Sequence, residues 1–394
     1  MIRKIYFFFF TCLCLFLLLF FPCTPITAAS TNTDANTGFH VDASSAIVME
    51  ASTGTVLYEQ DADLQKPPAS VTKVMTLLLI FEAIDAGQIT LTDTVTTSEH
   101  AASMGGSQVF LEAGESQTVE TMIKCIAVAS GNDACVAMAE YIAGSEDAFV
   151  EKMNARAAAL GMKNTHFVNC CGLDADDHYT SARDIAIMSR ELTTKHPAIF
   201  DYTTIWMENI THVTTRGSSE FGLTNTNKLI RQYEGATGLK TGSTSKAGFC
   251  LSATATRNDI SLIAVVMGCD SSKTRISASA SLLDYGFSVC HIYTDDNPPT
   301  LPAIPIRGGT TEQITGRYAQ KFSHITTTEM DKTKITTKLT MDSHIQAPVK
   351  EGQKIGTLDY YYGDTKLGSV SILSEETVEK AHYIDYLKQL IFSL

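Results

Sequence analysis

Basic residues are scarce in this sequence relative to acidic ones. The chain of 394 residues has 30 lysines and arginines against 43 aspartates and glutamates, which gives a formal net charge of −13 at pH 7. A surface of this sign repels polyanions, so the composition argues against nucleic-acid binding and against electrostatic attachment to anionic lipid. The hydrophobic content of 44% is ordinary for a globular protein, and the length allows two or three domains.

Cysteine is too sparse for a disulfide framework. Three of the ten cysteines lie in an N-terminal hydrophobic segment, and seven remain, at positions 125, 135, 170, 171, 250, 269 and 290. This number is odd, and most of the seven lie in apolar or small-residue segments. We therefore expect small core residues instead of disulfide bridges.

The sequence also lacks the pattern of a metal site. Asp174 and Asp176 suggest a calcium-binding loop, but Tyr179 and Ile185 stand where such a loop needs a glycine and its final glutamate. His178 has no second imidazole at ligand spacing. We expect a solvated acidic loop and a histidine that forms structural hydrogen bonds.

The longest hydrophobic run lies at the N-terminus. Arg3 and Lys4 precede the apolar residues 5–21, and the small residues Ala28 and Ala29 follow, which predicts a secretory signal over residues 1–29. The run is barely long enough to span a membrane, so an uncleaved anchor is the alternative. Residues 30–40 are polar and are expected to form a disordered leader.

Composition divides the remaining chain into a large and a small domain. Residues 41–293 carry three polar motifs, and the proline-rich residues 294–304 indicate a linker. Residues 305–373 alternate Thr and Lys with Ile, Val and Leu, which predicts a small all-β domain, a β-sandwich. The tail, residues 374–394, has an apolar stripe at helical spacing. It predicts an amphipathic helix that either contacts a membrane interface or packs on the β domain.

The first motif is Ser70-Val-Thr-Lys73, at the start of an apolar run. Two prolines directly before it block helix formation, so Ser70 is expected in the first turn of a buried helix. At this spacing the two side chains share one helix face, close enough for the amine to take the hydroxyl proton. A second copy of the spacing, Ser243 and Lys246, lies in a polar turn and lacks the apolar helix.

The second motif is Ser130-Gly-Asn132. It stands between two helical runs, 122–129 and 134–142, which fits a turn that reaches into a cleft. A helix N-cap is the simpler explanation for such residues when they are taken alone.

The third motif is Lys240-Thr241-Gly242. We expect it on or at the mouth of the first of two antiparallel strands, 247–255 and 260–267. Its glycine permits close approach of a ligand, and its cation and hydroxyl suit a carboxylate. A lysine on a strand edge is normally solvated, so this motif alone is weak.

In this order behind a secretion signal, the three motifs resemble the active-site triplet of the penicillin-binding proteins and serine β-lactamases. The chain is more closely similar to the D-alanyl-D-alanine carboxypeptidases among the low-molecular-weight penicillin-binding proteins. Further short matches include Ala182-Arg-Asp184, Asn225-Thr-Asn227, Ala247-Gly248 and Ala347-Pro-Val349. The resemblance implies an α/β (α+β) penicillin-binding and serine β-lactamase-like transpeptidase fold, with an antiparallel sheet and helices, plus the small C-terminal all-β domain.

The resemblance also implies a mechanism. Ser70 would attack the carbonyl between the two terminal D-alanines of a peptidoglycan stem peptide, with Lys73 as base and Ser130 relaying a proton to the leaving amine. Water would then hydrolyse the acyl-enzyme. β-Lactam antibiotics present a similar acyl centre, so they would acylate Ser70 and leave slowly. This chemistry requires no metal and no organic cofactor.

Substrate binding is implied for six residues: Asn132, Lys240, Thr241, Gly242, Ser243 and Arg275. Asn132 would hold the substrate amide, and Lys240 and Thr241, with Arg275, would bind the terminal carboxylate. The backbone N–H groups of Ser70 and Ser243 would form the oxyanion hole. Arg275 resembles a basic family position near the site.

The chain departs from the family at Asn169-Cys170-Cys171-Gly172-Leu173, where relatives have Asn-Pro-x-Gly-Leu, which leaves the geometry of that turn open. A class A β-lactamase is one alternative, but it needs a Glu-x-x-Leu-Asn segment that the sequence lacks between the second and third motifs. An inactive envelope-binding module and an endopeptidase or transpeptidase acting on crosslinked wall are the others.

Overall fold

A five-stranded antiparallel sheet organises the part of the protein that carries the three motifs. The computed structural model describes residues 38–342 and 344–385, and the strands of this sheet lie in the order β2-β1-β9-β8-β7. The predicted antiparallel pair β8 and β9 is present, and β1 and β2 form a hairpin. The strands are β1 Ser45–Glu50, β2 Val56–Gln60, β7 Ala236–Thr244, β8 Gly248–Arg257 and β9 Ile260–Cys269.

Helices pack against this sheet and against one another. Several begin at a serine or threonine whose hydroxyl accepts a backbone N–H of the first turn, which explains where they start. In chain order the helices are α1 Lys73–Asp85, α2 Glu99–Ala102, α3 Val119–Ala127, α4 Asn132–Ala143, α5 Glu146–Ala159, α6 Ala182–Lys195, α7 Phe200–Thr203, α8 Leu229–Gln232 and α9 Ser272–Val289.

Helix α1 lies at the centre of the larger hydrophobic core. Its sequence is apolar on nearly all sides, and Val74, Leu77, Leu78 and Ile80 are fully buried. Helices α4 and α6 pack against it. Truncating one of these leucines to alanine would cost about 2–5 kcal/mol. A short 3₁₀ turn, Ala69–Thr72, precedes the helix, so the first motif sits on a rigid support.

Strands build the C-terminal part of the chain, as predicted. A four-stranded antiparallel sheet in the order β13-β17-β16-β15 is accompanied by the pairs β10-β14 and β11-β12. The ring of Phe322 stacks on that of Tyr360 with centroids 3.7 Å apart in one of its two core clusters. The strands are β10 His291–Thr294, β11 Ile304–Pro305, β12 Gln313–Ile314, β13 Gly316–Tyr318, β14 Ser323–Thr326, β15 Ile335–Met341, β16 Lys354–Tyr362 and β17 Thr365–Ser374.

Two small antiparallel pairs complete the larger part. Strand β3 Thr94–Thr96 pairs with β4 Ser116–Thr118, and β5 Met207–Thr214 forms a hairpin with β6 Gly217–Thr224. The hairpin is followed in the chain by the short helix α8 and then by β7, which carries the third motif.

Two predicted boundaries need correction. The boundary between residues 293 and 294 falls inside β10, whose backbone pairs with β14 of the β domain. The helix predicted from residue 374 is not formed at its start, because Ser374 ends β17 and Val378 bridges to Val349. Backbone pairing with the β domain therefore outweighs the helical propensity of residues 375–382.

Most of the apolar stripe of the tail lies outside the described residues, as do the predicted signal at 1–29 and most of the leader at 30–40. Within the described part of the chain, none of the helices combines the length and the apolar character needed to cross a bilayer. The seven cysteines there are all buried thiols, as expected for core residues.

Candidate active site

The first motif forms the floor of the candidate site. Ser70 lies in the 3₁₀ turn and Lys73 begins α1, so the two side chains point the same way, as the spacing predicts. The Nζ atom of Lys73 is 3.2 Å from Oγ of Ser70. It also donates to Oδ1 of Asn132 at 2.6 Å and to the carbonyl of Cys171 at 2.6 Å. All three partners are uncharged, so a neutral amine can donate to the two carbonyl oxygens and accept the Ser70 hydroxyl, and the lysine is fully buried.

The second motif forms one wall. Helix α3 ends at Ala127, and Ser130 lies in the turn before α4 with a left-handed backbone conformation, φ 63°. The N–H of Asn132 donates to the carbonyl of Ser107 at 2.8 Å, and its side-chain amide donates to the carbonyl of Gly105 at 2.6 Å. Asn132 therefore contacts both Lys73 and a neighbouring loop, which fixes its amide.

The third motif forms the opposite wall. The Nζ atom of Lys240 donates to Oγ of Ser130 at 2.9 Å. Burial, together with the positive charges of Lys73 and Arg275, holds the pKa of the Lys240 ammonium well below its usual value. The motif lies within a strand of its own, β7. The prediction that it lies on or at the mouth of strand 247–255 is therefore wrong. Strand β7 pairs with that strand, β8, through nearly all of its residues.

Glycine at position 242 lets β7 approach the 3₁₀ turn Ala69–Thr72. This turn carries Ser70, the candidate nucleophile, and we call it the nucleophile turn. A Cβ atom on Gly242 would stand 2.8 Å from the carbonyl oxygen of Pro68 and 2.9 Å from the nitrogens of Ser70 and Val71. Any larger residue would push the strand away. The backbone around Gly242 and Ser243 thus lies beside the N–H of Ser70, and Ser243 is exposed.

Arg275 supports β7 from the side of helix α9. Its Nη1 atom donates to the carbonyl of Gly242 at 3.1 Å and to that of Cys250 at 3.3 Å. Burial lowers the pKa of this guanidinium. The structure therefore places Arg275 against the backbone behind Thr241, whose hydroxyl is 2.7 Å from that of Thr226.

Sequence reasoning missed three supports of the site. The carbonyl of Cys171 holds Lys73, and the hydroxyl of Thr226 holds Thr241. The third is Asp133, whose buried carboxylate accepts the N–H groups of Val109 and Leu111. The sequence carried only a weak signal for them, because two of these contacts use backbone atoms and the third joins Thr226, outside any strand, to Thr241 in β7.

His178 forms structural hydrogen bonds, as predicted. Its Nδ1 atom accepts the N–H of Val168 at 2.9 Å, which leaves Nε2 to donate to the hydroxyl of Thr72 at 2.9 Å. Burial lowers the pKa of His178 to about 4. The histidine thus joins the acidic loop to the nucleophile turn as a neutral ring.

Comparison with known proteins decides the family. Residues 29–271 match the D-alanyl-D-alanine carboxypeptidase family, and residues 292–380 match the C-terminal domain of penicillin-binding protein 5. The chain belongs to the D-alanyl-D-alanine carboxypeptidase family. The carboxypeptidase DacF of Bacillus subtilis (strain 168) is 42% identical over 349 residues, which covers 88% of this chain and 89% of that protein.

Solved structures agree with the family. The chain is similar to PBP3 of Streptococcus pneumoniae, described as a peptidoglycan synthesis regulatory factor, with a TM-score of 0.70 and 28% identity over 86% of this chain and all of that one. It is also similar to the Streptomyces K15 DD-transpeptidase, with a TM-score of 0.59 and 29% identity, over 64% of this chain and 98% of that one. These matches confirm the predicted penicillin-binding fold.

Proposed function

We propose that this carboxypeptidase removes the C-terminal D-alanine from peptidoglycan stem pentapeptides through an acyl-enzyme on Ser70. One observation carries the proposal: Nζ of Lys73 lies within hydrogen-bonding distance of Oγ of Ser70, in the cleft where Lys240 contacts Ser130. A buried amine held on neutral acceptors beside a hydroxyl is the arrangement that serine activation requires.

Acylation follows from these contacts. The Ser70 hydroxyl loses its proton to Lys73 as its oxygen attacks the carbonyl between the two D-alanines. The tetrahedral oxyanion is held by the N–H groups of Ser70 and Ser243, each worth about 3–4 kcal/mol. As the C–N bond breaks, Ser130 gives its proton to the leaving nitrogen and takes up the proton held by Lys73, while Lys240 stabilises the Ser130 oxygen. A positioned base contributes about 10² to 10⁴ in rate.

Recognition of the free carboxylate is assigned to β7. Lys240 and Thr241 offer a cation and a hydroxyl on the face of the strand that meets the cleft, and Gly242 lets the substrate lie against the backbone. Arg275, on helix α9, adds positive charge next to β7 and holds the Gly242 carbonyl through a hydrogen bond. Asn132, held by Lys73 and by its own loop, donates to or accepts from the substrate amide.

Water then attacks the acyl-enzyme and releases the shortened peptide. β-Lactams carry a carboxylate and a strained acyl centre at a similar distance, so they acylate Ser70 by the same steps, and their retained ring fragment blocks the approach of water. The residues at the site supply this chemistry through proton transfer and hydrogen bonds alone.

Purified protein tests the proposal directly. Release of D-alanine from a soluble stem pentapeptide is measured beside the intact mass of protein treated with benzylpenicillin. We expect D-alanine release and a persistent adduct on Ser70. An adduct that turns over rapidly would indicate a β-lactamase, and the absence of both signals would indicate an inactive binding module.

Transpeptidation is the second candidate, because the Streptomyces K15 DD-transpeptidase shares this fold. The acyl-enzyme is the same in both reactions, and only the acceptor differs. Adding an amine acceptor such as glycine to the pentapeptide assay separates them, since a transpeptidase forms the exchanged peptide in preference to the hydrolysed one. Turnover of a crosslinked muropeptide measures endopeptidase activity in the same way.

The site of action follows from the substrate. We assign residues 1–29 as the export signal of an envelope enzyme and residues 383–394, which follow the last backbone bridge to the β domain, as a contact with the membrane surface. The exposed ring of Tyr383 and side chain of Ile384 support the second assignment. N-terminal sequencing of secreted protein and fractionation of a chain ending at residue 381 test these two assignments separately.

A further inference from the structure

A cavity of about 430 Å³ lies between the loop 103–115 and the hairpin of β5 and β6. Its volume is typical of ligand sites in proteins. We call it the flank pocket, and the lining side chains that matter are Phe110, Glu112, His212, Arg216, Glu220 and Phe221.

Both walls of the flank pocket continue directly into the active site. Phe110 is three residues from Ser107, whose carbonyl accepts the N–H of the second motif. Phe221 is five residues from Thr226, whose hydroxyl contacts that of Thr241. At about 3.5 Å per residue, these connections place the pocket within about 10–18 Å of the active site.

A histidine with an unpaired buried nitrogen lines this pocket. His212 is 7% exposed, and its Nδ1 atom lies 2.7 Å from the buried carboxylate of Glu115. Its Nε2 atom is buried and has no hydrogen-bond partner in the part of the chain that the structure describes. Buried polar atoms are normally paired. His212 lines the pocket, and a ligand hydroxyl that reached Nε2 would supply the hydrogen bond that this nitrogen lacks.

An exposed aromatic ring stands over the same pocket. Phe110 is 64% exposed and has a left-handed backbone conformation, φ 62°, which is strained for a bulky residue. The N–H groups on either side of it, at Val109 and Leu111, are held by Asp133. Its ring meets that of Phe221 edge-on, with centroids 5.8 Å apart. The fold thus holds Phe110 in a strained backbone conformation that exposes its apolar ring to solvent beside the active site.

The charged side chains that line the pocket each have a partner, and one of these pairs is ionic. Arg216 forms an ion pair with Glu112, and Glu220 accepts the hydroxyl of Thr211. These pairs argue against a free ion as the ligand. They favour a neutral ligand that has one apolar face for the phenyl rings and several hydroxyl or amide groups for the rim, which is the chemistry of a sugar ring.

We propose that the flank pocket binds a sugar ring of the glycan strand that carries the stem peptide. This inference rests on the proposed function. The bond to be cut lies four residues from the sugar to which the stem is attached, and four extended residues span about 14 Å. That length falls within the upper bounds of about 10–18 Å that the two chain connections set.

Kinetics with two substrates test the inference. The ratio of kcat/KM for a muramyl pentapeptide to kcat/KM for the free pentapeptide is measured in the wild type, Phe110→Ala and His212→Asn. The asparagine amide replaces Nδ1 as the partner of Glu115 and removes Nε2. We expect this ratio to fall about 5- to 10-fold in both variants, as loss of an aromatic contact or a buried hydrogen bond predicts. Met207→Ala, which removes an exposed apolar side chain of the same hairpin outside the pocket, should leave the ratio unchanged.

Binding of a peptide-free probe separates this inference from the proposed function. Saturation-transfer NMR needs no turnover, and its probe is the disaccharide of N-acetylglucosamine and N-acetylmuramic acid with the lactyl carboxyl capped as an amide, as it is in the stem. A signal in the wild type and in Met207→Ala that is lost in Phe110→Ala supports the pocket, even if neither peptide is cleaved. No signal in the wild type, or an equal substrate ratio in the wild type and both pocket variants, overturns it. Failure to cleave either peptide overturns only the carboxypeptidase assignment.

Discussion

Gly242 lies so close to Ser70 that a Cβ atom at position 242 would stand 2.9 Å from the Ser70 nitrogen. The two residues are separated by most of the larger domain in sequence, and they meet because β7 is the edge strand of the sheet on the side of the nucleophile turn. The distance between the strand and the turn therefore sets the width of the candidate oxyanion hole.

Replacing Gly242 with alanine is expected to abolish acylation while the protein stays folded. The new methyl group meets backbone atoms of Pro68, Ser70 and Val71, which cannot move without displacing the nucleophile turn. We expect the rate of penicillin adduct formation to fall at least 100-fold, which corresponds to about 3 kcal/mol. Gly222→Ala is the matched control, because its methyl group would meet only a side-chain atom at 3.5 Å. Equal acylation by both variants would disprove the role of the close approach.

Replacing Lys73 with alanine removes the base and should slow acylation of Ser70 by about 10² to 10⁴. The chain offers its own control in Lys246, which has the same spacing to Ser243 as Lys73 has to Ser70 but is exposed. The acylation rates of Lys73→Ala and Lys246→Ala are measured by quenching each reaction at successive times and determining the fraction of acylated protein by intact mass. A Lys73→Ala protein that acylates as fast as Lys246→Ala would remove Lys73 from the mechanism.

Thr241 should determine the preference for a free carboxylate. In Thr241→Ala, we expect kcat/KM for the pentapeptide to fall about 10-fold or more, while kcat/KM for the corresponding peptide amide changes little. Thr241→Ser keeps the hydroxyl that contacts Thr226 and should restore most of the preference. A variant that keeps the wild-type ratio of acid to amide would place carboxylate recognition elsewhere.

His178 should make stability depend on pH in the acidic range. Its pKa in the folded protein is about 4, below the ordinary value of 6.5, so the unfolded chain takes up the proton first as the pH falls. The free energy of unfolding should therefore decrease by up to about 3 kcal/mol between pH 6.5 and pH 4, and His178 should add no slope above pH 6.5.

His178→Gln tests this prediction, because glutamine can keep the hydrogen bond to Thr72 but does not titrate. Urea unfolding at pH 7.0, 5.5 and 4.5 should show a smaller loss of stability in the variant than in the wild type. Parallel losses would mean that His178 does not carry the difference.

The sequence was sufficient for the parts of the site that depend on local spacing. Ser70 and Lys73 meet because they are three residues apart at a helix start, and the turn of Ser130 and Asn132 follows from the two helical runs around it. The hairpin of β1 and β2 and the alternating strands of the β domain were predictable for the same reason, since their patterns are local.

Contacts between distant backbones were not predictable. The third motif is predicted on or at the mouth of strand 247–255, yet it lies in the separate strand β7, because β8 supplies the hydrogen bonds and the nucleophile turn requires glycine against it. The Cys171 carbonyl that accepts Lys73 has no sequence signal. At the C-terminus, Ser374 looks like a helix cap, but pairing of the following backbone with the β domain outweighs that local preference.

Helix α9 ends at Val289 and β10 starts at His291, with only the buried Cys290 between them. The connection between α9 and β10 is therefore a single residue, with no flexible linker. A shortened chain that contains only the peptidase part has few suitable end points. Cutting at residue 293 or 304 would leave β10 with its backbone unpaired, an exposed edge that invites aggregation. Stopping at Cys290 leaves no such edge, which makes it the place to cut for crystallisation of the peptidase alone.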